Sequence, residues 1–307
     1  MELITGENDK GRRLDRLLRK ALPDLPLPLI HRLLRQGKVL VNGTPAKAGD
    51  RVDSGVKVNI PLKDAPKPQK TSRQLPKPEI IWQDSGLIAV NKPQGIAVHG
   101  HDNLYSQGSL DSQGSLDDMV RSFLAEKLPH SLSFKPGPLH RLDKPSSGIV
   151  IFSTGIEGAR LFSSLMRERK VRKTYLAIIE GKIGKEEIWE DSLSRDGEKK
   201  KTFVSGAQDG KPAVTRIKPL AYEGGYSLVM AEIATGRTHQ IRAQAASHGH
   251  PLAGDRKYGG HNLEGGFFLH AWKIEFSDNK ITAPLPQKFK EKINALFSNV
   301  DPDCFSD

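Results

Sequence analysis

The chain has 307 residues, with 47 Lys and Arg against 36 Asp and Glu, a formal net charge of +11 and a single cysteine, Cys304. That length allows one large domain plus a small one. The absence of any apolar run of ~18 residues excludes a transmembrane helix, and one cysteine excludes a disulfide framework or a zinc site built mainly from thiolates.

The cationic excess points to a polyanionic partner. The opening stretch "MELITGENDKGRRLDRLL" lacks the basic-then-apolar order of a secretory signal, so a cytoplasmic location is expected, with no membrane partner. Charge is concentrated early. Between Lys10 and Lys38 nine Lys or Arg stand against two acids, Asp15 and Asp24. "GRRLDRLLRKAL" places Leu14, Leu17, Leu18 and Ala21 at helical spacing, with Arg12, Arg16, Arg19 and Lys20 mostly off that stripe. "PLPLIHRLLRQG" predicts a second short helix ending at Gly37. "KVLVNGTPAKAGDRVDSGVKVNI" alternates strands with Asn-Gly and Gly-Asp turns. Two basic helices beside a hairpin make an RNA-binding module, and "HRLLRQGKVLVNG" followed by "AGDRV" resembles the S4 domain. Arg12, Arg16, Arg32, Arg35 and Lys38 are its candidate RNA contacts.

A first domain is therefore expected over residues 1–60. Residues 61–78 hold five prolines and five Lys or Arg and show no apolar period, so they read as a solvated linker. Residues 79–307 form the larger domain. "EIIWQDSGLIAVNKPQGIAVHG" predicts strand, turn, strand, loop, and "SQGSLDSQGSLDD" at 106–118 is a near-perfect duplication that reads as a surface loop. "GIVIF" at 148–152 predicts a buried strand, 155–170 a helix, 173–181 and 225–236 strands, "THQIRAQAASHGH" a helix and 268–276 a late strand. Strands and helices mix without a βαβ repeat. The expected class is α+β: a mixed, largely antiparallel sheet with flanking helices, preceded by a small α/β S4-like domain.

Asp143 sits in "PLHRLDKPSSG", at the junction of a loop and the apolar strand. An Asp in a turn ordinarily accepts backbone N–H bonds. A carboxylate at the edge of a core is otherwise costly unless it is paired or used. Four segments decide between these readings: "GLIAVNKPQGIAVHG", "HRLDKPSSGIVIFS", "RKTYLAIIEG" and "TGRTHQIRAQAASHGHPLAGDRKYGG". In this order and spacing they resemble the RluA family of pseudouridine synthases. The resemblance covers residues 79–276, and an S4-like unit is that family's frequent N-terminal companion.

The resemblance implies an RNA isomerase that uses no cofactor and no metal. Its partner would be RNA, here 23S rRNA or a ribosomal assembly intermediate, since "NKPQGIAVHG" and the S4-like unit look most like the large-subunit rRNA branch; a monomer is expected. Asp143 would be the catalytic carboxylate, attacking C1′ or drawing off the 2′ proton. Arg242 in "HQIR" would be its ion-pair partner, with Arg237 the competing residue and otherwise a phosphate contact. Tyr175 would stack on the target base, with removal of the C5 proton as a second role; a phenol of ordinary pKa is a poor base. Arg141 would fill the place a flipped uridine leaves in its stack.

Two departures from the family pattern are visible. Ser146 stands where Thr is commoner, and "RAQAA" replaces the usual Arg-Val-His, leaving Arg242 intact. His239, His248, His250 and Asp255 lack metal-ligand spacing, and His140 and His239 are expected to tie loops together by hydrogen bonds. The competing functions are a non-catalytic RNA-binding or assembly protein, which needs neither Asp143 nor Tyr175, and a metal-dependent nuclease, which would want clustered carboxylates.

Overall fold

The computed structural model describes residues 1–62, 75–100, 114–128, 130–206 and 209–305. Most of the predicted linker and residues 106–113 of the duplicated segment lie outside the described residues.

The N-terminal unit contains β1 (Glu2–Ile4), α1 (Leu14–Ala21), α2 (Leu27–Arg35), β2 (Leu40–Val41), β3 (Thr44–Pro45) and β4 (Lys57–Asn59). Its sheet runs β1-β4-β2-β3 and is antiparallel throughout. Leu14, Leu17 and Leu18 of α1 meet Ile30, Leu33 and Leu34 of α2, as their helical spacing requires, and form a core separate from those of the rest of the chain. Full burial of each such side chain contributes about 1.5–3 kcal/mol. The basic side chains are thereby left outside.

The larger unit contains β5 (Glu79–Asp84), β6 (Leu87–Lys92), α3 (Leu116–Leu124), β7 (Gly137–Pro138), β8 (Ser147–Ser153), α4 (Ile156–Arg167), β9 (Arg172–Glu180), β10 (Glu187–Asp196), β11 (Lys201–Ser205), β12 (Lys211–Glu223), β13 (Tyr226–Ile233), α5 (Gln240–Ser247), β14 (Leu269–Phe276), β15 (Asn279–Thr282) and α6 (Gln287–Leu296). Its main sheet follows the order β11-β10-β12-β13-β9-β14-β8-β6-β5, with β15 on β14 and β7 on β8. Every pairing is antiparallel except β14 with β8. The fold is α+β, as expected.

The parallel pairing depends on Gly148. It adopts φ +106°, and a β-carbon there would collide with the carbonyl oxygen of Ala271 on β14. The Ser-Ser-Gly after Asp143 therefore lets two backbones close while β8, buried along its whole length, anchors the preceding loop.

One expectation is corrected. The end of the duplicated segment is not loop: Ser115 caps α3 by accepting from the Asp118 N–H at 3.2 Å, and Asp118 accepts in return from the Ser115 N–H at 3.0 Å. Leu116, Met119 and Val120 then enter the core.

Candidate active site

The loop before β8, the middle of β9 and the start of α5 converge on one open pocket. Asp143, Tyr175 and Arg242 all line it, with Arg141 and Arg237. The Asp143 loop is closed by a turn in which Ser146 N–H donates to the Asp143 carbonyl at 3.0 Å. It is also held from behind by Lys92, whose ammonium donates to the carbonyls of Pro93, Ile96 and Lys144 at 3.0, 2.8 and 3.2 Å. Burial drives the Lys92 pKa down to about 7, with the Asp143 charge opposing the fall.

Arg242 is buried in the first turn of α5 and bridges two carboxylates. Its Nη1 donates to Asp143 Oδ2 at 2.9 Å, while Nε and Nη2 donate to Asp255 at 2.6 and 2.9 Å. Its guanidinium lies between two rings, 4.5 Å from the centroid of Phe267 and 4.9 Å from that of Tyr258. Burial works against the charge, but hydrogen bonds and attraction from Asp255 and Asp143 outweigh it and raise the Arg242 pKa. A planar fork gripped on one edge by Asp255 presents its remaining edge to Asp143 in one orientation.

Arg237 does not compete for Asp143. Its Nε donates to the Pro212 carbonyl at 3.1 Å. The loop carrying it is held by Gln240, whose Oε1 accepts from Thr235 and from the Arg237 N–H while its Nε2 donates to Val214 and Thr215. One turn on, Gln244 accepts from Thr215 at 2.6 Å and donates to Asp191 at 2.7 Å. The "RAQAA" departure thus places a glutamine that pins α5 to β10 and β12.

Tyr175 is buried on β9, opposite the small residues Ala231 and Ala271. Burial, and secondarily the Asp143 charge, push its hydroxyl pKa up. It stays protonated at neutral pH. Arg141 is exposed at the pocket rim. The Ser146 hydroxyl, also lining the pocket, is buried and has no partner among the described residues.

The histidines part company. His239 adopts φ +54° at the start of α5; its Nδ1 pairs with the Tyr258 hydroxyl at 2.8 Å and its Nε2 lies 3.7 Å from Asp143. Burial lowers its pKa despite the nearby carboxylates. His248 pairs with Asp191 at 3.1 Å and His250 with the Glu180 carbonyl at 2.9 Å. His140 Nε2 accepts from the Ile151 N–H at 3.0 Å, and burial, helped by the Lys173 charge, takes its pKa down to about 3.

A free histidine titrates near ~6.5. Between that value and about 3 the unfolded chain binds a proton that folded His140 excludes, so stability falls as pH drops through this window. His140→Asn, which keeps an acceptor for Ile151, should flatten the loss seen in thermal melts between about pH 6 and 4. A slope identical to wild type would remove His140 as its source.

Arg12 and Arg16 line a groove facing the larger unit, whereas Arg32, Arg35 and Lys38 are exposed at and just beyond the end of α2, outside it. Sequence alone assigns no site role to Tyr258 or Phe267 and meets Asp255 only beside the histidines, although Asp255 and Tyr258 lie in "GDRKYGG" of the fourth quoted segment.

A carboxylate fixed by a buried arginine lines a pocket rimmed by further arginines, and the N-terminal unit adds a basic two-helix module, an arrangement suited to a polyanion. A family model described as RNA pseudouridylate synthase matches residues 86–247, and an S4 domain model matches residues 12–58. The chain is similar to the ribosomal large subunit pseudouridine synthase C of Pasteurella multocida (strain Pm70), 33% identical across 96% of this chain and 93% of that protein. It is 32% identical to the protein of the same name from Haemophilus influenzae, across 91% and 87%. Its fold is similar to that of human RNA pseudouridylate synthase domain containing 4, at a TM-score of 0.57 and 22% identity over 70% of this chain and 92% of that one. The chain belongs to the RNA pseudouridylate synthase family and carries an S4 domain: it is an RNA-modifying isomerase.

Proposed function

We propose that the substrate is a uridine of large-subunit rRNA and that Asp143 carries the chemistry. The single observation behind the second part is the Asp143–Arg242–Asp255 bridge, which fixes the Asp143 carboxylate at the pocket. The first rests on the names of the relatives, which match nearly the whole chain.

In the reaction the N1–C1′ bond breaks, a C5–C1′ bond forms, C5 loses a proton and N1 gains one. No atom is gained or lost and no electron is transferred, so the residues of the pocket suffice. Asp143 attacks C1′ or takes the 2′ proton. Arg242 holds it in place. Tyr175 stacks on the base, and Arg141 fills the position the flipped nucleotide leaves. Arg237 contacts phosphate. Residues 1–60 supply affinity and residues 79–307 the chemistry, joined through 61–78.

A pseudouridine map of rRNA from a deletion strain tests the substrate. One or a few large-subunit positions should revert to uridine and be restored by the wild-type chain. An unchanged rRNA map, with losses in tRNA instead, would move the assignment to another RNA.

A further inference from the structure

We infer that the N-terminal unit is latched onto the catalytic unit through Asp9, and that the cationic groove between them is one composite surface for an RNA phosphate backbone. This rests on the RNA-acting function proposed above and adds where the RNA lies and what fixes it there.

Asp9 belongs to the short turn Glu7–Asp9 of the N-terminal unit and is fully buried. Four of its five donors come from residues more than a hundred positions away, among them the Ser131 hydroxyl at 2.8 Å, the Leu132 N–H at 2.8 Å and the Ser133 N–H at 3.0 Å. The Ser133 hydroxyl also donates to it, and the Gly6 N–H completes the set at 2.9 Å. Five donors use the lone pairs of both oxygens without any cation. Burial alone would raise the Asp9 pKa; the hydrogen bonds from Ser133, Gly6, Leu132 and Ser131 outweigh it and lower it.

Three neighbouring contacts reinforce the latch. Asn8 Oδ1 accepts from the Ile156 N–H at 2.9 Å, satisfying a free donor at the start of α4. Gly6 lies so close to the His130 carbonyl that any β-carbon would overlap it. Leu132 packs against the core of the N-terminal unit itself. A unit that merely trailed on a linker would need none of these.

The groove runs beside this latch. Arg12, Arg16, Arg19 and Lys20 line one side, and Arg121 and Lys135 the other, with Asp24 as the acidic lining residue. Arg121 is partly committed to Asp117 at 2.8 Å. Arg12, Arg16, Arg19, Lys20 and Lys135 make no side-chain ion pair among the described residues. Unneutralised cations on two facing walls suit a continuous line of phosphates, and they come from two units only while the latch is closed. Lys135 precedes Arg141 by six residues, so the groove wall lies at most about 20 Å along the chain from the pocket rim. A fixed distance of that kind measures the target uridine from the point where the backbone is held.

The test measures binding of the full chain to deproteinised large-subunit rRNA across a salt series. Arg19→Gln and Lys135→Gln should each weaken binding severalfold and lower the slope of log K against log[salt] by about 0.7–0.9. In an Asp9→Ala background Lys135→Gln should have no further effect, because the two walls no longer share one site. Ser133→Ala, which leaves the Gly6–Asp9 contact of the N-terminal unit intact, should reduce the Lys135 effect partway and guards against simple unfolding of that unit. Full additivity of Lys135→Gln with both latch substitutions, or a salt slope indifferent to Lys135, would overturn the composite groove. Polyglutamate competing as well as RNA of equal charge would overturn the RNA assignment in favour of an acidic protein segment. Isomerisation is followed on the same RNA: activity with additive binding effects sinks only the latch, whereas coupled binding without activity sinks only the isomerase reading of this chain.

Discussion

Replacing Asp143 with Asn will abolish isomerisation while leaving RNA affinity within a few fold of wild type. The change is isosteric, and the amide oxygen can still accept from Arg242 Nη1, now at 2.9 Å from Asp143 Oδ2. Arg242 also retains its two-pronged grip on Asp255, so the start of α5 stays in place. What disappears is the negative charge that attacks C1′ or takes the 2′ proton. Positioned carboxylates acting in this way contribute about 10²–10⁴-fold, and a loss of at least that size is expected in turnover. Turnover near wild type would remove Asp143 from the chemistry and return it to the role of a turn residue.

Arg242→Met should have the second-largest effect, and on stability as well as rate. Asp255 is 2% exposed, and among the described residues both side-chain donors to it are Arg242 nitrogens. Removing one partner of a buried pair typically costs about 3–5 kcal/mol, because the other charge is left uncompensated. The same loss takes away the donor that orients the Asp143 carboxylate, so turnover should fall by more than RNA affinity does. Arg242→Lys should keep the charge and much of the stability but lose most activity, because an ammonium cannot hold two carboxylates in one plane. Arg237 is the control. Half-buried and bound to the Pro212 carbonyl, it should alter affinity and salt slope when substituted and leave turnover at saturating RNA in place. Turnover lost on substituting Arg237 and kept in Arg242→Met would exchange their roles.

The motif residues were legible because the chemistry dictates residue type and order. Arg242 could be matched to Asp143 across 99 positions only through the resemblance, and the structure then sets them 2.9 Å apart. Asp255, Tyr258 and Phe267 act by enclosing the guanidinium from three sides, a relation with no period in sequence. The arm of β10, β11 and β12 was not read either. Trp189 and Leu193 point inward from β10 four residues apart, a spacing shared by helices and strands, and Pro212 and Pro219 interrupt β12, the latter at its register shift. In α6 the buried Phe289 and Ile293 are set among lysines and were left unassigned. The Asp9 latch joins residues 122 to 124 positions apart through an ordinary turn Asp and two serines, so nothing local marks it. A proline-rich connection suggested a tethered unit; hydrogen bonds made elsewhere in the chain dock it.

The most direct measurement is release of tritium to water from RNA labelled at uridine C5, with the length of the same RNA followed on a denaturing gel. Forming the C5–C1′ bond expels the C5 hydrogen without cutting the backbone. Wild type should therefore release tritium from full-length RNA, and Asp143→Asn should release none while still binding it. No release by the wild-type chain, release accompanied by shortened RNA, or equal release by Asp143→Asn would contradict isomerisation at this carboxylate.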